Sequence, residues 1–256
     1  MLKIVKIGGN IVDNPAKLEK FLADLSTLPG DKVLVHGGGK VATTIGKSLG
    51  IEANMIDGRR VTDAETLKVV TMVYAGVINK TIVSNLQGRG CNAIGLCGAD
   101  GALITSRRRL PEPIDYGFVG DPESVNTELI ADLTAKGFTL VVAPITYDGA
   151  GGLLNTNADT VASALAAAMA SHTDVELIYC FEKAGVLMDV DDDTSVIADI
   201  TPAAFADLKA RGIVAAGMLP KLENAFRSLE KGVGRVVICS AENIAKEGYG
   251  GTAVHL

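Results

Sequence analysis

Short, almost wholly apolar runs recur along the chain at residues 2–7, 32–36, 92–97, 139–143, 175–180 and 235–239. Runs of this kind, without polar alternation, read as strands buried on both faces. Stretches with helical spacing lie between them. Residues 17–28 form one, with Asn14 as its cap, Pro15 at the first helical position and Pro29-Gly30 as its stop. Others cover residues 41–49, 126–136 and 160–170. Thr201-Pro202 starts another, and Gly217-Met218-Leu219-Pro220-Lys221 opens the last. Strand–helix–strand alternation requires crossover connections and so predicts an α/β fold with a parallel sheet.

Residues 62–87 carry the longest helical pattern, and Thr62-Asp63-Ala64-Glu65 has the form of a capping box. Leu67, Val70, Tyr74, Ile78 and Ile82 make one apolar face; Val69, Met72, Val73 and Val83 make a second. A helix apolar on two sides is buried on two sides, either in its own core or between its subunit and a partner. Residues 54–61 read as a hairpin turning at Asp57-Gly58. Residues 103–120 read as a hairpin excursion with a solvated Arg107-Arg108-Arg109, and Asp191-Asp192-Asp193 as a solvated turn. No short repeat or low-complexity linker divides the chain. A seam between two lobes would fall near residues 155–175, inside one continuous sheet.

The 256 residues suffice for a sizeable core. A content of 29 glycines with no Trp favours a loop-rich α/β enzyme over a helical bundle. The formal net charge of −6 excludes a general basic field for nucleic acid or membrane, so an anionic ligand needs local positive groups. No apolar run approaches the length of a membrane span, and Met1-Leu2-Lys3 runs straight into the first strand without a signal-peptide pattern. Cys91, Cys97, Cys180 and Cys239 lack the paired spacing of a zinc site. They read as reduced core residues, which predicts a cytoplasmic protein without a protein-held metal.

Candidate chemistry concentrates where strands end. Lys6 precedes Gly8-Gly9, and the strand at 32–36 runs into Gly37-Gly38-Gly39. A glycine triplet alone is compatible with a bare turn. Followed by a helix N-terminus, it also offers free N–H groups to an anion. Asn155, Asn157 and Asp159 lead into one helix, Lys221 opens another, and Arg60 follows Arg59 beside the 57–58 turn. Open α/β sheets bind ligands beyond the carboxyl ends of their strands, and glycine amides with two lysines suit several negative charges. Phosphoryl transfer from a nucleotide is the chemistry this predicts. His36-Gly37-Gly38-Gly39-Lys40 lacks the spacing of a dinucleotide fingerprint, and no stretch supplies a Walker loop.

The ordered segments IVKIGGN, VLVHGGGK, DGRRVT, LLNTNADTVASALA and GMLPKLENA resemble the amino acid kinase family over essentially the whole chain. The resemblance implies a three-layer α/β/α sandwich with a mostly parallel central sheet. It implies an N-terminal lobe at 1–160 for the acceptor and the dimer contact, and a C-terminal lobe at 161–256 for ATP. Within the family, the RVT and NxNAD elements imply phosphorylation of the γ-carboxylate of N-acetyl-L-glutamate, the second step of arginine biosynthesis. N-succinyl-L-glutamate as acceptor, and nucleotide binding without catalysis, are the alternatives.

By motif match the resemblance assigns Lys6 and Lys221 to the transferring phosphoryl group and the N–H groups of Gly8, Gly9, Gly38 and Gly39 to its oxygens. It assigns Arg60 to the acceptor's α-carboxylate, Asn155 and Asn157 to the acceptor, and Asp159 to the positioning of the two lysines. ATP with Mg²⁺ is the implied cofactor. The implied assembly is a homodimer through residues 62–87, of the type without an additional N-terminal helix. The chain departs from the family at Phe181-Glu182-Lys183, where relatives carry an Asp followed by a small or aliphatic residue; Lys183 would add positive charge on the nucleotide side. An acceptor γ-carboxylate has a reference pKa of about 4.3 and is already ionised near neutrality, so no general base is needed. The obstacle is repulsion between anions, which positive groups in a dry site offset.

Overall fold

The structure, a computed structural model, describes residues 1–56, 58–214 and 218–256. Asp57 of the expected turn and Gly217 of the expected helix start lie outside the described residues. The first part of the chain runs through β1 (Leu2–Ile7), α1 (Gly9–Val12), α2 (Pro15–Thr27), β2 (Lys32–His36), α3 (Gly39–Ser48), β3 (Met55–Ile56) and β4 (Arg59–Arg60). Next come α4 (Ala64–Thr71), a π-helical stretch (Met72–Ile78), α5 (Asn79–Gln87), β5 (Ala93–Leu96), β6 (Ile104–Arg108), β7 (Gly120–Val125) and α6 (Thr127–Ala135). They are followed by β8 (Thr139–Val142), β9 (Ile145–Tyr147), β10 (Leu153–Asn155), α7 (Ala158–Met169), β11 (Val175–Phe181) and β12 (Asp199–Ile200). The chain closes with α8 (Pro202–Ala210), α9 (Leu219–Glu230), β13 (Arg235–Ser240) and β14 (Thr252–Val254).

The apolar runs become β1, β2, β5, β8, β11 and β13. They join β12 and β14 in one sheet of order β12-β14-β13-β11-β1-β2-β8-β5. Its pairings are parallel except that of β13 with β14. β1 shows how the sequence fixes the layers, since successive strand residues point to opposite faces. Val5 and Ile7 pack on one side with Phe21, Leu25, Val70 and Ile82 from α2, α4 and α5. Leu2 and Ile4 pack on the other with Ile130, Leu165 and Leu222 from α6, α7 and α9. Both faces are covered, which is why the runs show no polar alternation, and the fold is the expected α/β/α sandwich. A smaller sheet of order β10-β9-β6-β7 carries the hairpin excursion.

The pattern at 62–87 is realised as α4, the π-helical stretch and α5 in direct succession. Its cap differs from the expected box. Asp63, not Thr62, accepts the Thr66 N–H at 2.7 Å, because Thr62 is drawn into a bridge with Gly117 and its hydroxyl donates to the Arg60 carbonyl at 3.0 Å. Val69, Val70, Val73, Tyr74, Ile78 and Ile82 are all buried in the core, while Met72 and Val77 are exposed. The second apolar face therefore splits between core and surface. By length and composition, Ala64–Gln87 is also apolar enough to cross a membrane. The apolar runs did not reveal this because Lys68, Asn79 and Lys80 interrupt them; Val70, Ile82 and Leu86 are wholly buried in the core.

His36 is wholly buried on the face that meets α5. Its Nδ1 lies 2.9 Å from the Gly37 carbonyl, so that nitrogen carries the proton and donates. Nε2 then accepts from the Asn79 amide at 3.3 Å, and Asn79 also donates to the Val141 carbonyl at 2.9 Å. Burial lowers the His36 pKa to about 4, and a protonated ring would set an N–H against the Asn79 amide. The unfolded chain binds this proton near pH 6.5 and the folded chain only near 4, so stability rises with pH across that window. In urea unfolding this group should make the protein up to about 3 kcal/mol more stable at pH 7 than at pH 4. A His36 ring that titrates near pH 6.5 by NMR in the folded protein would refute this.

Candidate active site

β11, β1 and β2 are neighbours, and the residues at their carboxyl ends line a cleft of about 860 Å³. α1 and α2 cross from β1 to β2 on one side while β11 flanks β1 on the other, the kind of switch point at which open α/β sheets hold ligands. Both glycine turns reach the cleft. Gly8 caps α1 and Gly38 caps α3, which starts at Gly39, before the expected residue 41. The turns abut, since a side-chain carbon on Gly37 would fall 3.5 Å from the Gly9 amide nitrogen. Gly38 has φ +152°, and a Cβ there would overlap Ile78 Cδ1, so only glycine fits against the π-helical stretch.

Gly9 and Gly39 are the first residues of their helices, where N–H groups have no intrahelical partner. Gly8 differs from its expected role. Its N–H is donated to the Cys180 carbonyl at 3.2 Å, which ties the turn to β11 instead of leaving the amide free.

Lys6, Asp159 and Lys221 meet in the middle of the cleft. Strand alternation places Lys6 on the Ile4 side of β1, towards α7. Asn157 caps α7, its Oδ1 accepting the N–H groups of Asp159 at 2.8 Å and Thr160 at 3.1 Å, so Asp159 sits in the first turn. Lys6 Nζ lies 2.7 Å from Asp159 Oδ1, and Lys221 Nζ lies 3.7 Å from Oδ2, an ion pair longer than a hydrogen bond. Burial alone would push the Asp159 carboxyl up, but the two ammoniums outweigh it and hold it below the ordinary carboxylate range. An acid so held anchors two cations and is a poor proton acceptor.

Arg60 is buried. Its Nη2 donates to the Gly39 carbonyl at 2.9 Å and to Thr43 Oγ1 at 2.8 Å, in the first turn of α3. Asn155, also buried, donates from Nδ2 to Thr62 Oγ1 at 3.0 Å. The Thr62 proton already goes to the Arg60 carbonyl, so the hydroxyl must accept here, and the Asn155 oxygen is left over. Asn157 reaches the cleft as expected, with its Oδ1 committed to the helix cap.

Thr43 and the bonded pair Lys40–Asn10 were not singled out as site residues by sequence, which reads Thr62 as a helix cap and part of the RVT element and not as a partner of Asn155. The only local signals are Thr43 one turn after Gly39, and Thr62 two residues after Arg60 in an extended segment. Asp13 was missed as well. Both its carboxylate oxygens are sheltered with no hydrogen-bond partner among the described residues, and burial raises its pKa. Glu182 lines the cleft, but Lys183 does not bring its charge there; it pairs with Asp193 at 2.7 Å. Among the described residues no group of three or more His, Cys, Asp or Glu is placed to hold a metal.

A match to the amino acid kinase family covers residues 1–240. The chain belongs to this family. Acetylglutamate kinase from Cytophaga hutchinsonii is 55% identical over 246 residues, 96% of this chain and 93% of that one. The acetylglutamate kinase of Bacteroides thetaiotaomicron is 54% identical over 95% of each chain, and that of Methanopyrus kandleri 38% identical over 97% of this chain and 98% of that one. Among solved structures, N-acetylglutamate synthase from Neisseria gonorrhoeae, complexed with coenzyme A and N-acetyl-glutamate, superposes with a TM-score of 0.83 at 19% identity. That match covers all of this chain and 59% of the longer one. Carbamate kinase from Giardia lamblia bound to AMP-PNP gives 0.73 at 13% identity over 99% of this chain and 97% of that one. At these identities the two structures show a shared fold.

In this amino acid kinase the lowered pKa of Asp159 contributes stability that is present above the unfolded value near 3.8 and lost as pH falls through the folded one. Asp159→Asn should therefore be less stable than the parent at pH 7, with the gap narrowing below about pH 4. A gap that stays constant from pH 7 to pH 3 in urea unfolding would count against the ion cluster.

Proposed function

We propose that this chain transfers the γ-phosphoryl group of ATP to the γ-carboxylate of N-acetyl-L-glutamate, giving N-acetyl-L-glutamyl 5-phosphate, the second step of arginine biosynthesis. One observation carries the reading: Lys6 and Lys221 are held by one largely sheltered carboxylate between two glycine turns, in a chain whose relatives at 51–55% identity are named acetylglutamate kinases. The acceptor carboxylate is already a nucleophile near neutrality. What the site must supply is positive charge along the line of transfer. Lys6 and Lys221 hold the transferring group from two sides. The amides of Gly9, Gly38 and Gly39 hold its oxygens, Arg60 takes the acceptor's α-carboxylate, and Asn155 and Asn157 orient its amide.

Asp159 sets the spacing of the two ammoniums. Residues 1–160 carry the acceptor side and residues 161–256 the nucleotide side, with Glu182 on the latter. The cleft acids Asp159 and Glu182 make no protein cage for Mg²⁺. This suits an ion held mainly by phosphate oxygens and water, which would neutralise charge on the nucleotide. The four cysteines are free thiols, consistent with the cytoplasmic location that belongs to this proposal.

Steady-state ADP release with Mg-ATP and N-acetyl-L-glutamate tests the reading; no release would sink it. Lys221→Ala should lower kcat by about 100-fold or more while KM for the acceptor moves only a few-fold. An unchanged kcat would remove that lysine from the mechanism.

The proposal includes a homodimer through residues 62–87, supported by Met72 and Val77, apolar residues that stand 53% and 56% exposed on its outer side. Light scattering at micromolar concentration should give a dimer, and Val77→Glu should give monomers. A monomeric parent would overturn the assembly.

A further inference from the structure

We propose that the Tyr74 hydroxyl is a second donor to the acceptor's α-carboxylate, shared with Arg60, and that this pair makes the cleft select an acceptor whose α-carboxylate is free. This rests on the reading of the site given above, with Arg60 on the α-carboxylate.

Tyr74 belongs to the π-helical stretch Met72–Ile78. Residues four apart overshoot a turn of α-helix by about 40°, and the wider π-helical turn reduces that drift. Tyr74 and Ile78 therefore stand together over the glycine triplet. A side-chain carbon on Gly38 would lie 3.4 Å from both Cδ1 and Cε1 of Tyr74, so one edge of the ring is fixed against the turn. Tyr74 is buried, yet it lines the cleft, and its hydroxyl end comes to Arg60.

A buried phenol needs partners for its oxygen and for its proton. Arg60 fills only the first need. A guanidinium carries N–H donors and no acceptor, so it can face the Tyr74 oxygen but cannot take the Tyr74 proton. Asp13, whose charge also reaches the phenol, does not take it, since neither of its carboxylate oxygens has a hydrogen-bond partner. Among the described residues the Tyr74 proton has no acceptor. Burial raises the Tyr74 pKa above its ordinary value, and Arg60 only partly offsets the rise. The hydroxyl therefore keeps its proton near neutrality and is a donor open to the cleft.

An O–H donor beside a guanidinium suits an anion with two acceptor oxygens. The transferring phosphoryl group already has Lys6, Lys221 and the amides at the starts of α1 and α3. Arg60 spends its Nη2 on the Gly39 carbonyl and Thr43, so less of its fork is left to hold a carboxylate from two sides. Tyr74 supplies the missing donor, in a charge-assisted bond. A carboxamide at that place would give its oxygen to Arg60 and turn an NH₂ group, which cannot accept, towards the Tyr74 proton.

The test compares N-acetyl-L-glutamate with N-acetyl-L-isoglutamine, in which the α-carboxylate is an amide and the γ-carboxylate is kept. Tyr74→Phe preserves the ring over Gly38 and removes only the hydroxyl. With Mg-ATP, it should raise KM for N-acetyl-L-glutamate about 10-fold or more while kcat moves only a few-fold. For the isoglutamine the change in kcat/KM should stay within a few-fold. Calorimetric titration of both acceptors into both proteins reads the same ratios without turnover. An unchanged KM and Kd for N-acetyl-L-glutamate, or a loss shared equally by the two acceptors, would overturn the role of Tyr74. Absence of ADP release from the parent sinks the kinase reading, while the titration still decides Tyr74; a parent that binds neither acceptor overturns both.

Discussion

Two lysines and one carboxylate, drawn together away from water, are the constraint around which this molecule is arranged. A lone ammonium in the floor of the cleft would be costly to desolvate, and two side by side would repel. Asp159 reconciles them, with Lys6 at 2.7 Å and Lys221 at 3.7 Å. The three residues come from β1, α7 and α9, and more than half of the sequence separates β1 from the other two. Bringing them together requires β1 at the centre of a parallel sheet, α7 on the Ile4 side of that sheet, and α9 against α7. The apolar packing of Leu165 and Leu222 with Ile4 supplies this arrangement. Core and site are thus solved by one placement of the same helices.

Around this cluster the cleft reverses the sign of the protein as a whole. The chain carries a formal net charge of −6, yet its cleft collects lysines and arginines in excess of acids. The amides at the starts of α1 and α3 add partial positive charge without adding side chains. An anion is therefore drawn to one place and discouraged elsewhere, and two anionic groups that repel each other in water can share that place.

Much of this was legible along the sequence. Strands buried on both faces announce themselves as unbroken apolar runs, and Asn14-Pro15 and Thr201-Pro202 started helices where their capping chemistry said they would. Lys6 stood out as a lysine between Val5 and Ile7 directly before the Gly8-Gly9 turn. What stayed hidden depends on partners distant in sequence. The cap of α4 moved to Asp63 because Gly117 claimed Thr62. The Gly8 amide was taken by Cys180. Cys180 and Cys239, which looked scattered, stand at facing positions of β11 and β13 with their sulfurs 3.7 Å apart. The π-helical stretch has no local signature; it lies where Tyr74 and Ile78 close over Gly38, a contact between separate helices.

Arg60 ties together parts of the cleft that the chain keeps far apart. Its carbonyl receives the Thr62 hydroxyl, which in turn receives the Asn155 amide, and its guanidinium holds Gly39 and Thr43. The hairpin, the loop before α7 and the N-terminal end of α3 are therefore one mechanical linkage with Arg60 as its pin. A ligand that pulls the pin by fitting badly must also break the bonds that aim α3. A displacement at one end of this linkage is then felt as misalignment at the other.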